Sequence, residues 1–238
     1  MTHGGWTDSA QAWVTQQGEH GDQARRYILD PAILARIEGR SFTSALDVGC
    51  GEGRFCRILG ELNIQCSGID PVAEFIQLAT NKDPNGDYQV SSAEDLPFAE
   101  NSFDLVISYL TLIDIPDFRQ AIAEMARVLQ PGGTLLIANL TPHNSASMRG
   151  GWQYDDQGTP IHFAIDDYSD EWAEWVEWAN IRVQNWHRPM SAYMQALLDA
   201  QLILRHFDEP KPLSGYVDKE HMNARAPWFN LMEWQLPH

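Results

Sequence analysis

Two aspartates frame a run of glycines in the first third of the chain, and their spacing is that of a ligand site. Asp47 lies two residues before Gly49, and Gly49, Gly51 and Gly53 then occupy alternate positions. Ala45, Leu46 and Val48 form a short apolar strand ahead of them, and Phe55, Ile58, Leu59 and Leu62 recur behind them at helical spacing, so the pattern predicts strand, tight turn and helix. Glycine has no Cβ, which permits unusual dihedrals and lets a ligand approach the backbone closely. A dinucleotide fingerprint counted from Gly49 and Gly51 requires a third glycine at position 54, where this chain has Arg54, and the GK[ST] ending of a phosphate-binding loop is absent. An acid at the mouth of the turn repels phosphate and suits an ammonium group. Asp70, at the end of the next apolar segment (64–69), can accept hydrogen bonds from both hydroxyls of a ribose. The ligand class these residues describe is a nucleoside that carries positive charge and no phosphate.

Further candidates lie later in the chain. Asp114, in YLTLIDIPD, can orient or deprotonate a second substrate, or can simply serve a turn or helix cap. His143 and His187 can each act as a general base because histidine titrates near neutral pH, or can satisfy a loop carbonyl. Arg25 and Arg26 are adjacent cations in an acidic chain, able to reach a ligand carboxylate or to stay solvated at the surface. Cys50, Cys56 and Cys66 form no CxxC pair and have no histidine at ligand spacing, so no metal site and no disulfide framework is expected.

The elements that must position these groups alternate. Residues 1–40 read as a helical cover: a short helix capped at Asp8 or Ser9 and running to Trp13, a break at GEHGD, and a helix over Ala32 to Ile37 opened by Asp30 and Pro31. Residues 41–142 read as an α/β core, with strands to Val48, over Ile64 to Ile69, Tyr88 to Val90, Phe103 to Ser108 and Thr134 to Ala138. A helix opened by Pro71 carries Phe75, Ile76 and Ala79 on one side. Another, capped by Asp117, carries Phe118, Ala121, Ile122, Met125, Val128 and Leu129, and QPGG turns the chain after it. Residues 143–188 form an insertion of different character, with five of the nine tryptophans. Between Gly150 and Ile181 it has eight Asp or Glu and no Lys or Arg. His162 to Ile165 and Trp172 to Trp186 read as strands, the second interrupted near Ala179 and Asn180, although Trp172, Trp175 and Val176 also fit a helix. Residues 189–238 complete the core through a helix from Ser191, with Tyr193, Met194, Leu197 and Leu198 on one face, and strands Ile203 to Phe207 and Trp228 to Trp234. The fold class is α/β: a doubly wound, mainly parallel sheet ending in an antiparallel pair.

With 238 residues, 44% of them hydrophobic, the chain can bury a full core. Its net charge of −17 disfavours nucleic acid and anionic membrane as partners. No apolar run reaches the roughly 18 residues that span a bilayer, and MTHGGWTDSAQAW has no leader-like pattern, so a cytoplasmic location is expected.

Four segments together make the chain resemble the class I S-adenosylmethionine-dependent methyltransferases: LDVGCGEGRF at 46–55, GIDP at 68–71, SSAEDLPFAENSFDLVIS at 91–108 and VLQPGGTLLIANL at 128–140. The resemblance implies a Rossmann-like, seven-stranded sheet with an antiparallel last strand, and S-adenosylmethionine as cofactor with S-adenosylhomocysteine as product. It implies that the turn at Gly49, Cys50 and Gly51 lies against the methionine part and that Asp70, followed by Pro71, binds the ribose. Ala93 and Glu94 would border the adenine, with Tyr109 and Leu110 facing the cofactor from the other side. Ser92 stands where many members carry an acid, which passes the adenine amino contact to Glu94 or Asp95. HRP-S elements like the one at His187 occur in similar methyltransferases, which makes His187 the first choice of base, ahead of Asp114 and His143. The activity implied is SN2 methyl transfer to a small-molecule acceptor, with a cofactor-binding regulatory protein as the alternative. For the insertion two readings stand side by side: an acceptor-side wall whose tryptophans and acids receive an amine-bearing substrate, or tryptophans that pack and acids that face water.

Overall fold

Residues 3–214, 216 and 224–238 are described by a computed structural model. Helix α1 (Trp6–Gln17) is followed by a turn of π-helix (Arg25–Leu29) that runs without a break into α2 (Asp30–Ile37). Neither expected cap forms. Gly5, at φ 91°, precedes α1, and the Ser9 hydroxyl instead accepts the Arg182 N–H at 3.0 Å and donates to the Arg182 carbonyl at 3.1 Å. Asp30 is itself helical, at φ −57°, and its carboxylate faces away from the α2 amides toward other partners.

The core follows as β1 (Ser44–Val48), α3 (Arg54–Glu61), β2 (Gln65–Asp70), α4 (Ala73–Lys82), β3 (Asp87–Val90), β4 (Phe103–Tyr109), α5 (Phe118–Val128) and β5 (Leu129–Leu140). The strand reading extends back through QPGG to Leu129, with a shift of register against β4. After α6 (Pro142–Ala146) come β6 (Gly151–Tyr154), β7 (Pro160–Ala164), β8 (Trp172–Trp178) and β9 (Ile181–His187), and then α7 (Met190–Asp199), β10 (Ile203–Asp208) and β11 (Phe229–Gln235). Seven strands form one sheet in the order β10-β11-β5-β4-β1-β2-β3, with only β11 antiparallel to its neighbours. The chain moves outward from β1 through β2 to β3 and then returns to the other side of β1 as β4. That reversal opens a crevice at the carboxyl ends of β1 and β4, where ligands of doubly wound sheets bind.

The central strands are buried on both faces, so they read as nearly continuous apolar runs. One face packs Leu46, Val106, Leu135, Ile137 and Trp234 under α5 and α7. The other packs Ala45, Leu105, Ile107 and Leu136 under α2 and α3. Leu198 does not share the buried face of α7; it is 52% exposed.

The insertion forms two hairpins outside the main sheet. β8 and β9 pair from Trp172 opposite His187 to Trp178 opposite Ile181, and the turn between them uses Ala179 and Asn180 at φ 46° and 65°. That register excludes the helical alternative for Trp172, Trp175 and Val176. Strand β6 was not anticipated; its four residues contain no alternation long enough to read. Among the described residues, no helix is long and apolar enough to cross a membrane.

Candidate active site

The glycine turn is built on backbone bonds. Gly49 and Cys50 donate N–H groups to the Ile69 carbonyl at 2.8 and 2.9 Å, stitching the turn to the end of β2. Gly51 N–H donates to Asp70 Oδ2 at 3.0 Å and Val72 N–H to Asp70 Oδ1 at 2.8 Å, so Asp70 bridges the two loops of the crevice. Gly49, Gly51 and Gly53 have φ of 78°, 55° and 77°. At Gly49 a side chain would also meet Thr111, the second residue after β4, with the added Cβ 2.2 Å from Thr111 Cγ2. The Cys50 thiol packs over Gly68 beside that of Cys56, and all three cysteines are free.

Asp47 is buried beneath the turn. Cys56 Sγ approaches its Oδ2 at 3.6 Å, whereas Oδ1 has no hydrogen-bond partner. Burial pushes its carboxyl up to about 7 and that of Asp70 up to about 6. Leu110 takes the left-handed conformation at φ 56°, its N–H bonded to the Ala138 carbonyl at 2.8 Å. A branched residue held there stores strain of the kind that collects at functional sites. The Tyr109 ring meets Phe55 edge-on at 5.2 Å, and its hydroxyl donates to Asp30 Oδ1 at 2.8 Å. Arg54 holds the same carboxylate with two bonds of 2.8 Å, so the residue that breaks the dinucleotide spacing ties α3 to α2. Pro71 stands between Asp70 and Val72, inside the turn that the Val72 N–H closes onto the Asp70 carboxylate. Ala93 is buried in the loop after β3, Glu94 is half-buried with its carbonyl accepting from Gln120, and Asp95 is exposed.

Helix α1 roofs this crevice. Trp13 lies over Gly51, where an added Cβ would stand 3.1 Å from the indole, and Trp13 meets both Trp6 and Phe75 edge to face, with Trp6 and Phe75 tilted against each other. The Arg25 guanidinium sits 5.6 Å from the ring centres of Trp13 and Tyr109 and pairs with Asp22 at 2.6 Å. It is therefore at the crevice mouth, whereas Arg26 is exposed beside Tyr27.

Asp114 lies in the loop after β4 with a little surface left exposed. Asn185 Nδ2 donates to its Oδ1 at 2.6 Å, and the Trp6 side chain also favours its charged form. Burial, with the charge of Asp70 adding to it, pushes the Asp114 carboxyl up to about 8 against these two side chains and the Arg188 cation.

The histidines are placed differently. His187 is fully buried: its Nε2 lies 2.9 Å from the Tyr168 carbonyl, which makes that nitrogen the donor, and Nδ1 accepts from the Ser145 hydroxyl at 2.7 Å. Both nitrogens are engaged and burial lowers its pKa, so the first-choice base has no lone pair for a substrate proton. His143 directs Nε2 to the Pro227 carbonyl at 2.7 Å, at the entrance to β11. Neither ring shares a hydrogen bond with Asp47, Asp70 or Asp114. Replacing His187 by alanine is expected to cost ~1–3 kcal/mol of stability through the stranded Ser145 and Tyr168 groups and to leave the pH dependence of turnover unchanged. Thermal denaturation and a pH–rate profile check this.

The tryptophans do not form an open aromatic surface. Arg149 covers Trp172 at 3.9 Å, Arg182 covers Trp175 at 4.2 Å, Arg225 covers Trp152 at 4.6 Å and Arg188 covers Trp186 at 4.9 Å. Arg149 and Arg182, together with Arg119, pair with Asp167, Glu171, Glu174 and Glu177, whereas Arg225 donates to the Pro160 and Ile161 carbonyls. Four of the five rings and half of the acids that motivated an amine-bearing acceptor are thus taken by the protein's own guanidinium groups, and Trp178 donates its indole N–H to Gln16 at 2.8 Å.

Sequence reading missed Asn185, Arg188 and Trp6. A signal for Asn185 existed: Ile181, Val183, Asn185 and His187 alternate along β9 and all face inward.

A doubly wound sheet with a glycine turn lacking phosphate machinery, a carboxylate across the ribose position and an unpartnered buried carboxylate oxygen at Asp47 defines a site of the class I methyltransferase type. A buried acid with an unpartnered oxygen and an acid bonded to both crevice loops are the chemistry that an ammonium and a pair of hydroxyls require. The chain belongs to the class I S-adenosylmethionine-dependent methyltransferase family. The family described as a methyltransferase domain matches residues 46–137. A ubiquinone biosynthesis O-methyltransferase of Xanthomonas oryzae pv. oryzae is 30% identical over 178 residues, covering 69% of this chain and 74% of that protein. A malonyl-[acyl-carrier protein] O-methyltransferase of Salmonella typhimurium is 32% identical over 125 residues, 52% of this chain and 50% of the relative. The chain thus spans about half the length of the malonyl-[acyl-carrier protein] relatives it matches. The crystal structure of an S-adenosylmethionine dependent methyltransferase from Mesorhizobium loti superposes with a TM-score of 0.79 at 25% identity, covering 92% of this chain and all of that one.

Proposed function

We propose that the protein transfers the methyl group of S-adenosylmethionine to an oxygen of a small-molecule acceptor, with Asp114 as the base and the insertion over residues 143–188 as the acceptor-side wall. The bound cofactor supplies an activated sulfonium methyl, so the chain's own groups need only align the acceptor, exclude water and take a proton. Gly49, Gly51, Asp47, Asp70 and Arg25 bind and orient the cofactor, Arg25 by exchanging Asp22 for the ligand carboxylate. Glu94 or Asp95 meets the adenine.

The observation that carries the reading is Asp114: a carboxyl in the loop after the central strand, within electrostatic reach of Asp70 and retaining some exposure. Its proton affinity lies close to working pH, where a general base is most effective. An oxygen acceptor also agrees with the named activities of the two O-methyltransferase relatives and with the covering of the tryptophan faces by arginine.

Asp114→Asn is expected to lower kcat by about 10²- to 10⁴-fold, to remove the rise in rate on passing through pH about 8, and to leave S-adenosylhomocysteine affinity unchanged. The check is a panel of phenols, carboxylic acids and amines assayed across pH, with calorimetric binding of S-adenosylhomocysteine. Turnover of amines alone, or wild-type turnover by the variant, would show the reading to be wrong.

A further inference from the structure

Four consecutive residues, Asn185 to His187 at the end of β9 and Arg188 directly after it, each fasten a different part of the molecule. Asn185 donates to Asp114 at 2.6 Å, and the Trp186 N–H donates to the Ile113 carbonyl at 2.7 Å. His187 joins Ser145 to Tyr168, and Arg188 donates to the carbonyls of Leu112 at 2.7 Å, Ile115 at 2.5 Å and Pro116 at 3.0 Å. Every residue from Leu112 to Pro116 is thereby held by the closing strand of the insertion and Arg188.

Arg188 is the unusual member. It has no exposed surface, lies between the rings of Phe118 at 4.3 Å and Trp186 at 4.9 Å, and has its nearest carboxylate, Glu171, 3.9 Å away. A buried cation without a close counter-ion is costly. Here its two terminal nitrogens satisfy three carbonyls of one turn, while Nε is left without a hydrogen bond. A planar guanidinium can fork to several carbonyls at once, which a lysine ammonium cannot do in the same geometry.

We propose that Arg188 is the positioning residue for Asp114, acting through the carbonyls of the loop that carries it, so that the insertion sets the acceptor side of the site. This rests on the reading of Asp114 as the group that meets the acceptor. The groups whose charge or hydrogen bonds act on Asp114 are Trp6 from α1, Asp70 from β2, Asn185 from β9, Tyr193 from α7 and Arg188 itself. Of these, only Arg188 also holds the loop backbone on both sides of Asp114.

The test uses the Trp6 indole N–H as a reporter, because the Trp6 side chain acts on the Asp114 carboxyl and holds its proton affinity down. In full-length protein labelled with ¹⁵N-tryptophan, that resonance, assigned with Trp6→Phe, should titrate with a midpoint near the Asp114 value of about 8 and should stop titrating in Asp114→Asn. Arg188→Lys keeps the charge and loses the fork. The loop then loosens, water reaches Asp114, and the midpoint should fall by about 1–2 units. With an acceptor in hand, kcat should fall while S-adenosylhomocysteine affinity is unchanged.

Trp186→Leu, which keeps the guanidinium and removes one face of its sandwich, is the second variant should Arg188→Lys not fold. It should move the midpoint less, in the same direction. A lowered melting temperature with an unmoved midpoint would make Arg188 purely structural and overturn the proposal. A moved midpoint in a protein that methylates no acceptor would support the positioning role and overturn the transferase reading instead.

Discussion

Replacing Gly49 by alanine is expected to weaken S-adenosylhomocysteine binding by about 100-fold or more, the equivalent of ~3 kcal/mol. The added Cβ would stand 2.2 Å from Thr111 Cγ2 and 2.8 Å from its Oγ1. Thr111 cannot simply turn away, because its hydroxyl donates to the Val48 carbonyl at 2.9 Å and so closes the gap between the ends of β1 and β4. The backbone at φ 78° adds a second penalty, since an L-residue there costs ~1–2 kcal/mol, and overpacking a close contact adds ~1–3 kcal/mol. Either the turn or the loop after β4 must move, and both border the crevice. The paired variant Gly49→Ala with Thr111→Gly relieves the contact but not the dihedral, so it should recover part of the loss. Calorimetric titration and thermal denaturation of the two variants test this; wild-type affinity in Gly49→Ala would show that the turn does not touch the cofactor.

The second large effect is on stability. Asp47, Asp70 and Asp114 are held at about 7, 6 and 8, against 3.8 for an ordinary aspartate. In each case burial penalises the charged form, so the folded protein keeps protons that the unfolded chain has already released. The stability this contributes is fully present below about pH 4 and is lost as pH rises through the folded-state values. The ligand-free protein should therefore become less stable from about pH 4 to pH 8, at up to ~1.4 kcal/mol per pH unit for each carboxyl still protonated. The opposing group comprises Asp22, Glu124 and Glu171, whose carboxyls lie below their ordinary values. Those carboxyls remove stability on the acid side of that window, and His187, held below its ordinary value by burial, opposes the fall inside it, below about pH 6.5. A ligand with positive charge favours the ionised carboxylates, so the gain in melting temperature on adding S-adenosylmethionine should be larger at pH 8 than at pH 5. Denaturation series across this range, with and without ligand, are the measurement. A ligand-free stability that rises steadily to pH 8 would contradict it, and Asp114→Asn should flatten the fall.

Much of the donor side was legible in the chain because its signals are local. Glycines at alternate positions, an acid before them and an acid ending the next strand lie within 24 residues, from Asp47 to Asp70, and the dihedrals each position requires follow from its own residue type. The helical cover was legible as helices but not in its capping. Ser9 and Asp30 are ordinary cap residues by type, and only contact with Arg182, Arg54 and Tyr109 decides that their side chains serve other elements. His187 shows the same limit: its type suggested a base, and the closure of Ser145 and Tyr168 around it removed the free lone pair.

What the sequence by itself determined is the alternation of strands and helices, the doubly wound sheet and the kind of ligand its glycine turn can hold, because periodicity and turn chemistry are properties of neighbouring residues. What only the tertiary structure decided is the meaning of the tryptophan-rich insertion. Between Gly150 and Ile181 the chain has eight acids and no Lys or Arg, which reads as a surface waiting for a cation. Folding brings Arg119, Arg149, Arg182, Arg188 and Arg225 to it from outside that interval, over the rings and against the acids. Charge pairing acts through space and is blind to sequence separation, so a segment that looks unpaired along the chain has half of its acids neutralised once the chain is folded.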